Sequence, residues 1–288
     1  MTEHNQLGCT YIPENLSDFS IIVVVLIEMK THEDWLKEFR AKIEEGYETQ
    51  RMDKRLAGFA HEHEKPVKRL WKYDQPITAQ TMVAGQPIIV APSPTYRNVE
   101  AFQVGIRIDL SQWNFKDPIV GSDSYMFGIG SRVAENEYHA IVKGISDNAG
   151  NVIKTKKKGE LSKLDLKEAQ AWIGSYGNEY AETVIVPLEQ KTKWLIQEEL
   201  WLPHKIPTGY LPEKERGMFF SGWINGVNVY WMRFLKDFAL IYAKRKAIIC
   251  NTPMKIYYDN PKRPKELFVS KWCSSAPILD QAVVKITL

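Results

Sequence analysis

The chain has few cysteines: Cys9, Cys250 and Cys273 are an odd number at no metal-ligand spacing, which argues against a disulfide framework and against a zinc ribbon. Thiols without partners fit a reducing cytoplasm. Long apolar runs are also missing, because the strongest, residues 21–27, is far shorter than the ~20 residues a membrane span needs. Glu3, Glu14 and Asp18 stand before it where a secretory signal would carry basic residues, so this run is expected to form a buried strand or packing arm. Excess charge is small as well: 38 Lys+Arg against 35 Asp+Glu leave +3, short of the broad basic surface that non-specific nucleic-acid binding requires. Gly121 and Gly128 frame no phosphate loop, since the lysine and hydroxyl that would hold phosphate and magnesium are absent. Ser274, Ser275, Asp280 and the scattered histidines form no sequence pattern of a nucleophile with its base.

What remains is an ordinary soluble composition, 44% hydrophobic and 25% charged over 288 residues, enough for about two domains at ~150 residues each. Residues 31–47 carry Trp35, Leu36, Phe39 and Ile43 at helical offsets, with Thr31 as a cap, and predict an amphipathic helix. Residues 51–72 are charged and broken. Residues 73–96 hold Val83, Ile88, Ile89 and Val90 among Pro76, Gly85, Pro87, Pro92 and Pro94; that proline density excludes a central sheet and predicts a projecting hairpin or a surface loop. Residues 101–110 alternate with period two and predict a strand. A long helix is predicted over residues 122–142, opened by Ser122 and Asp123 and stopped by Lys143-Gly144. Residues 146–160 read as a polar loop at a domain junction.

An α/β alternation follows: a helix over 164–176, a strand over 183–186, and a helix over 188–200 entered through Pro187. Residues 203–217 are a loop rich in proline and glycine. Short strands are expected at 219–220, 227–232, 238–242 and 247–250, then at 254–258, 267–273 and 283–287.

Three short segments carry a family resemblance. Ala134-Glu135-Asn136-Glu137 with Lys143-Gly144-Ile145 closes the long helix; residues 217–227 place a glycine-flanked turn before a strand; Pro277-Ile278 with residues 282–287 supplies a terminal strand. With the order of elements, this resembles the encapsulin and tailed-virus major capsid protein family, the Hong Kong 97-type capsid fold, over residues 33–288. The resemblance implies an α+β, capsid-type fold with a peripheral domain (long spine helix plus β strands), an axial α/β domain and an extended loop. Its parts would be an N-terminal arm (1–32), an N-terminal helix and linker (33–72), the extended loop (73–100), the peripheral domain (101–160 and 251–288) and the axial domain (161–250).

It also implies a function: a structural protein, not an enzyme, that self-assembles into a closed icosahedral particle. An encapsulin-like cytoplasmic nanocompartment holding a ferritin-like or peroxidase-like cargo protein is the first reading, and a viral or proviral capsid in a virion the second. The partner is the chain itself, with no membrane, no cofactor and no metal, and nucleic acid is not the expected content. A small α/β enzyme with its site near residues 203–217 is the alternative from another class. His204, Lys205 and Lys214 would face a pore where axial tips meet, and Trp71, Tyr73, Val83, Ile88 and Tyr96 would form an inter-subunit arm.

Other candidate chemistry has simpler explanations. His61-Glu62-His63-Glu64 offers imidazole and carboxylate ligands, but histidines two apart share a face only on a strand and a second ligand pair is missing. Glu135 and His139, one helical turn apart, predict a surface ion pair, and Lys154 to Lys158 a solvated loop. Nine Trp, 13 Tyr and 11 Phe include Trp71, Tyr73 and the Trp113-Asn-Phe115 segment in polar settings, where a subunit interface would bury them.

Overall fold

The structure is a computed structural model, and it describes residues 32–77, 93–113, 122–196, 219–224, 226–260 and 265–288. In chain order the described elements are α1 (His32–Gln50), α2 (Asp53–Leu56), β1 (Phe59–Glu62), β2 (Arg69–Lys72), β3 (Thr95–Asn98), β4 (Phe102–Asp109), α3 (Ser122–Ser146), β5 (Asn151–Lys154), α4 (Lys163–Tyr176), β6 (Thr183–Pro187) and α5 (Leu188–Ile196). They continue as β7 (Phe220–Ile224), β8 (Val227–Met232), β9 (Phe238–Tyr242), β10 (Ala247–Asn251), β11 (Lys255–Tyr258), β12 (Glu266–Pro277) and β13 (Val283–Thr287).

The first sheet is built on β12. One edge of β12 pairs antiparallel with β4; the other pairs with β10 and β11 in succession, and β1 joins β10 in parallel. Along β12, Leu267, Val269, Lys271 and Cys273 point to the buried face and Glu266, Phe268, Ser270 and Trp272 to the half-exposed one, the period-two pattern of a one-sided sheet. The free edge of β11 is blunted by α1, where the Arg40 guanidinium donates to the Ile256 carbonyl over 2.9 Å.

The second sheet runs β5-β13-β9-β6-β8-β7, with α4 packed on β13 and β9. A capping box starts α4: Ser162 Oγ accepts from the Asp165 amide, while the Asp165 carboxylate accepts from the Ser162 amide over 2.8 Å.

Helix α3 joins these layers. Met126, Val133, Ile141 and Ile145 are fully buried on its inner face, each contributing about 1.5–3 kcal/mol by leaving water. Tyr138 reaches the second sheet, meeting the Phe219 ring at 5.0 Å. One core therefore spans α1, α3 and both sheets. Helix α1 lies against α3 at very short range because glycine stands at both sides of the crossing. A Cβ on Gly130 would overlap the Ile43 carbonyl and come within 2.6 Å of the Tyr47 nitrogen, and one on Gly46 would overlap the Phe127 carbonyl.

Several elements depart from the sequence expectation. The predicted stop at Lys143-Gly144 does not end α3, which continues to Ser146. Gly144 is buried there because a Cβ would lie 2.5 Å from the Ser275 carbonyl oxygen, so the glycine serves close packing on β12 instead of a cap. The expected loop 146–160 contains β5, whose partner β13 lies at the far end of the chain. Residues 51–72, read as broken, include α2, β1 and β2. The sheets also exchange strands across the sequence-based partition: β10 belongs to the first sheet, while β5 and β13 belong to the second.

Candidate functional site

Strands β2 and β3 form a two-stranded ribbon, paired antiparallel with Trp71 opposite Tyr96 and Leu70 opposite Arg97. Successive residues point to opposite faces, so the ribbon has an inner and an outer side. Inward, Leu70 packs with Ile248, Cys250, Ala276 and Ile278 on the outer face of the first sheet. Arg97, also inward, pairs with Asp280, and the Tyr73 amide donates to the Ile278 carbonyl over 2.7 Å. On the opposite face stand Arg69, Trp71 and Tyr96, with Trp71 half-buried and packed, like Tyr73, on the edge of the Leu70 cluster. Trp71 meets Phe59 edge-on at 6.0 Å and Tyr73 at 5.5 Å, and Arg69 covers the Tyr96 ring at 5.3 Å. Tyr96 remains 65% exposed, a large aromatic that its own subunit leaves in water.

Trp71, Tyr73 and Tyr96 are thus placed together on and beside the β2–β3 ribbon. Val83 and Ile88, like the pore candidates His204, Lys205 and Lys214, lie outside the described residues. So do Cys9, Thr31, Phe115 and residues 21–27. Trp113 differs from expectation: its ring packs edge-on against Phe39 of α1 at 5.0 Å, within the subunit.

A second constellation was not anticipated. Glu137 of α3 and Lys271 of β12 form an ion pair at 3.0 Å, with side chains 1% and 2% exposed. Tyr47 of α1 donates its hydroxyl to the other Glu137 oxygen over 2.6 Å, and Lys271 also bonds that hydroxyl. Next to it, Asp53 takes bonds from Arg51 at 2.7 and 3.0 Å and from Asn251 Nδ2 at 3.2 Å. Burial pushes the Glu137 carboxyl up, against the pull of Lys271 and Tyr47. Burial would raise Asp53 too, but its bonds to Arg51 more than reverse this and hold it below the usual carboxylate range. Burial and the Glu137 charge together push Tyr47 well above a normal phenol. The arrangement ties α1, α3 and the first sheet at one point. A cleft of about 230 Å³ lined by Glu44, Glu48, Arg51 and Met254 opens onto it.

The remaining candidates resolve plainly. Glu135 is buried and pairs with Arg132 and, at 3.8 Å, with Arg233, whereas His139 stands edge-on to Phe234; the expected Glu135–His139 pair is replaced by these contacts. His61 and His63 lie on or next to the exposed β1, their rings 6.4 Å apart, and among the described residues no three His, Cys, Asp or Glu converge as metal ligands. Lys156 and Lys157 pair with Glu168 and Glu160 at 2.6 and 2.8 Å. Burial pushes the Cys250 thiol up to about 11 and holds Cys273 well above the ordinary thiol range, so both are protonated near neutral pH. No described helix is long and apolar enough to cross a membrane.

No family model matches the sequence, and no curated protein does. The fold, in contrast, is the α+β capsid-type fold that the resemblance implied. The chain superposes on the virus-like particle from Pyrococcus furiosus with a TM-score of 0.54 at 12% identity, covering 87% of this chain and 98% of that one. It superposes on the capsid of the empty GTA particle with a TM-score of 0.52 at 11% identity, covering 83% and 90%. For the capsid of the native GTA particle the TM-score is 0.50 at 10% identity, covering 83% and 96%.

Proposed function

We propose that this chain is the subunit of a self-assembling protein shell and carries no reaction of its own. The observation that carries the reading is the β2–β3 ribbon: one face is fastened to the chain, Trp71 and Tyr73 are half-buried at its edge, and the Tyr96 ring is held 65% exposed on the other face. Large aromatics held in fixed positions outside a core are the usual anchors of a protein interface. The fold shared with particle-forming proteins supports the same conclusion. In this reading residues 73–100 reach a neighbouring copy, the spine helix α3 belongs to a peripheral domain and the second sheet to an axial one. The loop of His204, Lys205 and Lys214 faces a pore.

Within the shell class we assign a compartment that encloses protein cargo. The near balance of charge supports this, because a genome container needs basic residues without acidic partners along its lining. Negative-stain imaging of the purified protein tests assembly. Nuclease treatment followed by gel analysis tests the content: a protein band without protected nucleic acid supports the compartment, and a protected genome-length band replaces it with a capsid.

A further inference from the structure

We infer that Asp280 is a positioning residue for the arm: its pairing with Arg97 fixes the direction in which the β2–β3 ribbon leaves the subunit, and through it the angle at which one copy meets the next. The first half stands on geometry alone, and the second rests on the shell reading above.

Residues 278–282 are a crossing point. The Ile278 carbonyl holds the Tyr73 amide, and the Gln281 side chain donates to the Asp74 carbonyl over 3.3 Å, so the arm is tied here along its first strand. The Asp280 carbonyl accepts the Gly150 amide over 2.9 Å, just after α3 ends, and a Cβ on Gly150 would overlap that carbonyl. The same 3-10 turn, Asp280–Ala282, packs on α4 and leads into β13 of the second sheet. Three parts of the molecule meet on one short segment whose backbone is held independently of its side chain.

The Asp280 carboxylate is what adds the second strand. It pairs with Arg97 of β3 and stands 4.0 Å from Lys72, which also pairs with Asp74 at 2.7 Å. The Arg97 side chain is only 9% exposed and its Nε is buried without a hydrogen-bond partner; Asp280 is the carboxylate it pairs with directly, while Asp74 adds a weaker attraction. Apolar contact through Leu70 seats the ribbon but is not directional, and an isolated two-stranded ribbon has little stability of its own. With β2 already tied through the Tyr73 amide, the Asp74 carbonyl and the Val67 carbonyl, which accepts from Ser274 Oγ, the ion pair is what fastens β3 and sets the tilt of the ribbon, and loss of the carboxylate strands a buried guanidinium.

The test compares the full-length chain with Asp280→Asn, Asp280→Glu and the exchange Arg97→Asp with Asp280→Arg, by hydrogen exchange and by particle imaging. Asp280→Asn should accelerate exchange in residues 69–74 and 95–98 by about tenfold or more while α3 and β12 keep their protection. Its particles should lose uniform diameter. Asp280→Glu and the exchanged pair should restore both. Unchanged exchange in the ribbon overturns the positioning role, as does acceleration spread equally through α3 and β12. A loosened ribbon on particles of unaltered diameter overturns the link to shell geometry. If the unaltered protein forms no particles, the shell reading fails, and the exchange data still decide the role of Asp280.

Discussion

The clasp between α1, α3 and β12 and the β2–β3 ribbon both place charge in poorly solvated ground, and they do it to opposite effect. In the clasp, Glu137, Lys271 and Tyr47 satisfy one another and face inward from three elements. At the β2–β3 ribbon, Arg97 is held by the Asp280 carboxylate on the inner side while the outer side shows the Tyr96 ring to solvent. The first arrangement is closed on itself; the second, in the proposed shell, leaves the Tyr96 ring for a neighbouring copy to cover.

That contrast can be broken at the clasp first. Lys271→Met leaves Glu137 buried without its cation and should cost about 3–5 kcal/mol of unfolding free energy. The double change Lys271→Met with Glu137→Leu should cost clearly less, since no lone charge remains. Urea unfolding of the three proteins decides it, and equal losses in the single and double variants would show that the clasp acts through shape alone.

Next in size is the helix crossing. Gly130→Ala places a methyl group on the Ile43 carbonyl and should destabilise by about 1–3 kcal/mol. Gly128→Ala, on the same helix with nothing within 4 Å of its Cβ, should be neutral or stabilising by up to about 1 kcal/mol. Thermal melts of the pair separate close packing from helix propensity.

Acid should act on the clasp region with a defined sign. Asp53 has its folded carboxyl held below the ordinary 3.8, so it contributes stability above that value that is lost as pH falls through the lower folded one. Glu137, raised by burial, contributes in the opposite sense and partly offsets the loss. Unfolding free energy should fall as the pH drops below about 4, after little change or a slight rise between about pH 6 and 4.5 from Glu137, and Asp53→Asn should flatten the fall.

The smallest effect on folding is expected at the arm. Tyr96→Ala removes a largely exposed ring and should change subunit stability by no more than about 0.5 kcal/mol, while weakening assembly. Melting and light scattering on the same sample would sharpen the comparison, because a stability loss as large as that of Lys271→Met would place Tyr96 in the subunit core.

Much of this was legible in the chain. The periodicity of Leu36, Phe39 and Ile43 gives α1, and the alternation of Val104, Ile106 and Ile108 gives β4, because each element buries one face. Prolines near Trp71, Tyr73 and Tyr96 exclude a central sheet, and the structure sets all three on or beside the separate β2–β3 ribbon. What failed depends on distant partners. Gly144 looks like a helix stop until Ser275 is seen against it, and β5 is too short to declare itself without β13. The clasp did leave a signal: Lys271 stands in phase with Leu267, Val269 and Cys273, and Glu137 in phase with Val133, Ala134 and Ile141, charges on stripes that are otherwise apolar. Asp280 left none, because its importance lies in a turn whose neighbours come from elsewhere in the chain.

The central claim is that this subunit is made to close into a shell. Negative-stain imaging with mass measurement of the purified full-length chain tests it directly: the account predicts closed particles of uniform diameter, and a 33.3 kDa monomer at every concentration would contradict it.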